Sequence, residues 1–146
     1  MTHESKQITN ASETNKTARS KIFELSKNFP GTDEEKERNP FLFTKASDIA
    51  RFIAIQELYS KILNIPGCIA DFGTWRGQTA IQCENLRAVY EPLNFDRRIY
   101  CFDTFEGYKG FTAEDKSSNF HKDGTYSTEE NYHEYLQLQQ QNMRLH

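Results

Sequence analysis

Two short segments hold most of the residues whose types and spacing could do chemistry. One is Asp71-Phe72-Gly73-Thr74-Trp75-Arg76-Gly77, which continues an apolar run, Cys68-Ile69-Ala70. The other is Asp103, which closes the run Arg98-Ile99-Tyr100-Cys101-Phe102. Glycine lets a chain turn sharply off a strand and brings its backbone close to a ligand. An acid at the end of the next strand is the usual partner of two ribose hydroxyls. Together they describe an adenosine-containing ligand lying across the carboxyl ends of two parallel strands. The spacing is Asp-x-Gly-x-x-x-Gly and not the Gly-x-Gly-x-x-Gly of dinucleotide sites. A carboxylate at Asp71, at the mouth of the turn, repels a pyrophosphate that needs the helix N-terminus. It suits S-adenosylmethionine, which carries an ammonium, a sulfonium and no phosphate, and Arg76 at the helix start is then placed to meet the methionine carboxylate. The residues favour this ligand over a nicotinamide dinucleotide. Two glycines alone would merely end a strand, so the weight rests on the flanking acids.

Other candidates are weaker. Trp75 offers a cation an aromatic face near the sulfonium or adenine, although a hydrophobic plug beneath the turn is the commoner use. His121 and His133 lie in polar stretches without an acid at fixed spacing, and are expected to face solvent. Tyr126, Tyr132 and Tyr135 are candidates for an acceptor site, but the spacing of Tyr132 and Tyr135 reads as helix packing. Asp115 and Asp123 make no convincing metal pair, no metal site is expected, and no catalytic residue is assigned.

The elements that must position these residues follow from pattern. A helix is expected from about Ser47, as N-cap, to Leu63, with Asp48 in its first turn. Ile49, Phe52, Ile53, Tyr59, Ile62 and Leu63 form its apolar stripe, widened by Ile55 and Leu58. Cys68–Phe72 reads as a buried parallel strand, and Arg98–Phe102 as a second strand. Between them runs a helix from about Gln78 to Tyr90, with Ala80, Ile81, Leu86 and Val89 inward. Strand, glycine turn, helix and strand make a βαβ unit. Residues 108–127 read as loop. Thr128 is the expected cap of a last helix, Glu129 to about Met143, turning Tyr132, Tyr135, Leu136, Gln139 and Met143 to the sheet. Residues 1–20 show no period and are expected to lack structure, with Ile22, Phe23 and Leu25 in a short docking turn. Pro30-Gly31 and Asn39-Pro40 bracket a charged loop.

Composition bounds the function classes. Val, Leu, Ile and Phe make 31 of the 146 residues, and 21 of them fall within residues 41–105. The expected domains are therefore a disordered or loosely docked tail over 1–40 and a partial ligand-binding domain over 41–146. No run approaches the ~18 apolar residues of a membrane span. With 18 basic against 21 acidic residues, no basic stripe marks a nucleic-acid partner. Cys68, Cys83 and Cys101 form no Cys-x-x-Cys pair and read as reduced, packed thiols. The N-terminus lacks a secretory pattern, so the cytoplasm is expected and the sequons at Asn10 and Asn15 read as chance matches.

Residues 66–79, Pro-Gly-Cys-Ile-Ala-Asp-Phe-Gly-Thr-Trp-Arg-Gly-Gln-Thr, resemble the first motif of the macrocin-type sugar O-methyltransferases. This is a branch of the class I S-adenosylmethionine-dependent enzymes that includes the mycinamicin and novobiocin sugar methyltransferases. Tyr100-Cys101-Phe102-Asp103-Thr104-Phe105-Glu106-Gly107 resembles the second motif. The resemblance is clear over residues 41–110 and looser elsewhere. It implies an α/β, Rossmann-like class I methyltransferase fold, here its first βαβ unit with flanking helices and an incomplete sheet. It implies cofactor contacts at Asp71, Gly73, Gly77 and Asp103, with Thr74, Trp75 and Arg76 as additions. Asp71 departs from the glutamate common in the group. The group's metal-binding and catalytic acids lie in a second half that has no counterpart here. The expectation is an N-terminal fragment of an enzyme that methylates a sugar or glycan-like hydroxyl, inactive alone, with a divalent metal only if the second half is present. A non-catalytic remnant or interaction module and, less favoured, a nucleotide-dependent oxidoreductase fragment are the alternatives. Nothing in the residues sets the oligomeric state.

Overall fold

A computed structural model describes residues 11–117 and 123–144. The described residues fall into two compact units, within Thr9–Ile53 and within Ala54–His146. The first contains α1 (Glu13–Lys27), α2 (Asp33–Glu37), a single 3-10 turn at Pro40–Leu42 and the start of α3 (Ala46–Lys61). The second contains the rest of α3, β1 (Ile69–Phe72), α4 (Gln78–Tyr90), β2 (Ile99–Phe102) and α5 (Tyr132–Arg144).

The first unit is more regular than its composition implies. Residues 13–20, expected to be unstructured, open a helix that also absorbs the docking turn at Ile22–Leu25. Local bonds explain it. Ser12 Oγ accepts the Asn15 N–H at 3.3 Å, Lys16 pairs with Glu13 at 2.7 Å, and Asn28 N–H closes the last turn on Glu24. No α1 side chain is buried. The charged loop likewise holds α2, started by a reciprocal capping box between Thr32 and Glu35, a Thr-x-x-Glu signature present in the sequence. Glu35 is held below its ordinary value by these bonds from Thr32.

The second unit is built on the βαβ order expected. β1 and β2 are parallel, with Ile69 opposite Ile99 and Phe72 opposite Phe102. One sheet face packs on helices: Tyr59, Ala80, Cys83, Leu86 and Ile99 form the core, backed by Ile55, Ile62, Leu63, Ile69 and Cys101. The other face is open. Ala70, Phe72, Tyr100 and Phe102 are exposed, and the Phe72 and Phe102 rings stack on each other at 4.8 Å. The strands are therefore covered on one side only, against the burial expected of Cys68–Phe72. Among the described residues of this unit, no element covers that other face.

Three helices differ in detail. α3 starts at Ala46, so Ser47 lies inside its first turn and is not the cap; Lys45 C=O takes the Asp48 and Ile49 N–H groups instead. Of its stripe only Tyr59 is buried, while Ile49, Phe52, Ile53 and Leu58 are exposed. A two-stranded sheet covers only the C-terminal turns of such a helix. In α4 Ala80 and Leu86 are buried as expected and Ile81 half-buried, but Val89 is 72% exposed. Cys83, Glu84 and Arg87 are buried in its place, because α5 packs along α4 and Arg144 reaches Glu84 at 3.0 Å. Arg87 supplies the second cation at 3.1 Å. Finally, α5 begins at Tyr132 and not at Glu129; Thr128 bonds to Phe105 C=O and does not cap the helix. Leu136 is buried, Tyr132, Gln139 and Met143 are half-buried, and Tyr135 is exposed. Cys68 is also exposed, against the packing expected of it.

Candidate functional site

The parallel register ends β1 and β2 side by side, and both connections leave at their carboxyl ends. Gly73 N–H donates to Phe102 C=O at 2.9 Å, which turns the chain off β1. Gly73 and Gly77 sit at φ +74° and +77°, a region glycine enters without steric cost. Between them Trp75 is held at φ +48°. Its N–H donates to Asp103 Oδ2 at 2.7 Å, and Phe105 N–H donates to Oδ1 of the same carboxylate at 2.7 Å. Asp103 thus fastens the turn after β1 to the loop after β2, while each oxygen keeps a further lone pair for a ligand.

The facing wall is two loops joined as a ladder. Tyr108 N–H donates to Thr125 C=O (3.0 Å), Gly124 N–H to Tyr108 C=O (2.9 Å) and Thr128 N–H to Phe105 C=O (3.0 Å). A Cβ on Gly107 would stand 2.4 Å from Thr125 O, so only glycine allows this approach. Phe105 and Tyr126 take φ +60° and +64°. Of these left-handed aromatic residues, Trp75 and Tyr126 border one place, each held at a cost of about 1–3 kcal/mol. Such strain gathers at ligand clamps.

The place is a cleft of about 510 Å³, within the ~300–1,000 Å³ of small-molecule sites. Of the seven residues expected at the cofactor, Gly73, Trp75 and Asp103 line it, joined by Phe102, Tyr108, Lys109 and Tyr126 among others. A Cβ at Gly73 would meet nothing within 4 Å, so its backbone stands open to a ligand. Trp75 Nε1 is buried without an acceptor among the described residues, so what Trp75 offers a ligand is ring carbon.

Four expected residues do not line the cleft. Asp71 lies half-buried on the helix side of β1, opposite Cys101, with Oδ2 shielded from solvent. There burial raises the Cys83 thiol to about 11, with the nearby Asp71 charge adding to it; burial raises Cys101 too. Thr74 is buried and its hydroxyl donates to Asp71 C=O at 2.8 Å. Gly77 packs under Leu136. Arg76, expected to meet a ligand carboxylate, pairs instead with Glu129 at 2.9 Å and lies over the Trp75 and Tyr132 rings. The Glu129 bond raises its already high pKa. These four residues shape the turn from behind.

Tyr126, named as an acceptor-site candidate, stands in the cleft wall. Tyr108 and Lys109 drew no attention in the sequence; the glycines at 107, 110 and 124 were the available signal that this loop folds tightly. His133 is exposed as expected, and His121 lies outside the described residues. Asp115 Oδ2 accepts the Thr112 N–H and hydroxyl at 2.9 and 2.8 Å, and Asp123 is exposed. Among the described residues no three His, Cys, Asp or Glu side chains lie close enough to hold a metal ion, and no helix is long and apolar enough to cross a membrane.

A family model described as macrocin-O-methyltransferase (TylF) matches residues 3–145. The chain is similar to the crystal structure of CalS11, a calicheamicin methyltransferase, at 26% identity and a TM-score of 0.86. That match covers 98% of this chain and 56% of the other. The apo structure of CalS11, described as a TDP-rhamnose 3'-O-methyltransferase of calicheamicin biosynthesis, gives 26% identity, a TM-score of 0.74 and coverage of 93% and 50%. The chain thus spans about half the length of the solved structures it matches. No curated protein matches.

Proposed function

Because the chain belongs to the macrocin-O-methyltransferase (TylF) family, we propose that its cleft binds S-adenosylmethionine as part of an O-methyltransferase acting on a sugar hydroxyl. The observation that carries this reading is the cleft at the carboxyl ends of β1 and β2, where an open glycine backbone faces a carboxylate. The residues present fit the group. Asp103 keeps lone pairs for ribose hydroxyls, Gly73 leaves its backbone uncovered, and the lining cation Lys109 is already paired with Glu106, which leaves little to hold a pyrophosphate. The family match argues against the oxidoreductase alternative.

When bound, S-adenosylmethionine supplies an electrophilic methyl group. What these residues contribute is position: methyl transfer is an in-line displacement, and most of its acceleration comes from holding the partners in line. Asp103 sets the ribose end while holding the Trp75 and Phe105 backbones, so binding and loop placement are one act. Tyr108, Tyr126 and Trp75 wall the cleft with aromatic rings. The sugar acceptor is argued by analogy with CalS11, described as acting on TDP-rhamnose. Three free cysteines fit a reducing compartment, the cytoplasm.

Calorimetry tests the proposal. The 146-residue chain is expected to bind S-adenosylmethionine, and Asp103→Ala to weaken binding at least tenfold through lost ribose and loop contacts. No measurable heat with the unaltered chain would favour the non-catalytic remnant.

A further inference from the structure

The cleft wall contains an aromatic arrangement that its role in shape does not exhaust. Tyr126 is the centre of it. The Trp75 ring lies 5.5 Å away at 87°, and the Tyr108 ring lies 5.5 Å away on a 71° angle. Two rings stand nearly perpendicular to a third, and all three line the same cleft. The arrangement is costly to hold, since Tyr126 and Trp75 both occupy left-handed backbone. The ladder from Tyr108 to Thr125 and Gly124 is what keeps it in place.

Charge around the cleft points the same way. Among the lining residues Asp103 and Lys109 carry formal charge. Lys109 is ion-paired with Glu106, and Arg76 behind Trp75 is paired with Glu129. Asp103 is bonded by backbone N–H groups rather than by a cation. The cleft is therefore lined by three clustered aromatic rings and one carboxylate that no side-chain cation neutralises, a combination that attracts a soft cation.

We propose that Tyr126, with Tyr108 and Trp75, forms an onium box that binds the sulfonium of S-adenosylmethionine in preference to a neutral thioether. The inference rests on the function proposed above and names the residues that read the charge. The box also has a consequence for turnover. Loss of the methyl group removes the positive charge, so the same rings that hold the methyl donor release the thioether left behind. Tyr126 is a specificity-determining residue 55 positions beyond Asp71 in the chain.

The test is calorimetric titration of the 146-residue chain with S-adenosylmethionine and, separately, S-adenosylhomocysteine. Tyr126→Leu is expected to weaken the first by about tenfold or more and the second by less than about twofold, from the usual strength of a desolvated cation–π contact. Tyr126→Phe should keep the unaltered ratio. Tyr108→Leu, at a residue with ordinary backbone, should shift the ratio in the same direction and guards against a Tyr126 variant that fails to fold. Equal losses for both ligands, as stacking on adenine would give, overturn the box while leaving the proposed function standing. Unchanged affinities do the same. A chain that binds neither ligand overturns both.

Discussion

At the scale of single residues, the strongest interactions lie away from the cleft. Arg97 clasps both oxygens of Glu91 at 2.5 and 3.0 Å and donates to the Ile62 and Ile65 carbonyls at 2.9 and 3.0 Å. Tyr59 and Asn94 donate to the same carboxylate. One guanidinium thus ties the end of α3 to the loop after α4. Burial pushes the Glu91 carboxyl up, but the bonds from Arg97, Tyr59 and Asn94 outweigh it and bring it to about 2, against an ordinary 4.5. A group depressed by folding contributes its full stability above its unfolded value and loses it as pH falls towards the folded one. The melting temperature is therefore expected to be level above about pH 5 and to fall between pH 4.5 and about 2. Glu91→Gln should melt lower at pH 7 and show a shallower acid slope, measured by circular dichroism. No sequence pattern announces this clasp, because Tyr59, Ile62 and Ile65 lie 32 to 35 residues from the groups they bond and meet them only after α3 and α4 pack. Asp103 is the reverse case: its type and place at a strand end marked it for a ligand, yet its two backbone bonds were not readable.

At the scale of elements, α4 is where sequence and packing agree best and then part. Its bounds follow from the glycine turn before it and Pro92 after it. Its buried face does not, because hydropathy selects Val89 and the structure selects Glu84 and Arg87. A carboxylate becomes tolerable inside when two guanidinium groups reach it, and one of them arrives from α5, 60 residues on. The α4–α5 contact also explains Gly77. A Cβ there would lie 2.1 Å from Leu136 Cδ1, on a backbone already at φ +77°. Gly77→Ala should therefore destabilise the chain by about 2–4 kcal/mol through overpacking and backbone strain together, read from denaturant midpoints. If the contact were loose, the variant would unfold at the parent midpoint.

At the scale of the whole molecule, the two units differ in how they are held. Within Thr9–Ile53 no described side chain is buried, and its helices rest on caps, i,i+3 and i,i+4 pairs and short side-chain to backbone bonds. The second unit's core draws on residues from Ile55 onward. A chain lacking residues 1–45 is accordingly expected to keep a cooperative melt and its affinity for S-adenosylmethionine, by calorimetry on both lengths. A non-cooperative melt would show that the core depends on the first unit.

The residues alone settled the order of elements in the second unit, the parallel strands and the turn between them. These follow from local causes: glycine spacing, apolar runs and proline stops act within a few positions and need no partner. They also gathered seven candidate ligand residues into two short segments, of which Gly73, Trp75 and Asp103 line one cleft. Which residues face that cleft, and which brace it from behind, was decided by tertiary structure. Asp71 at the end of β1 and Thr74 and Arg76 in the turn stand beside the lining residues but send their side chains in another direction, and Gly77 is covered by Leu136. That direction depends on Glu129, Leu136 and the ladder at Tyr108, all far along the chain. Spacing reports proximity along a backbone, whereas a binding wall is closed by residues that meet only once the helices have packed.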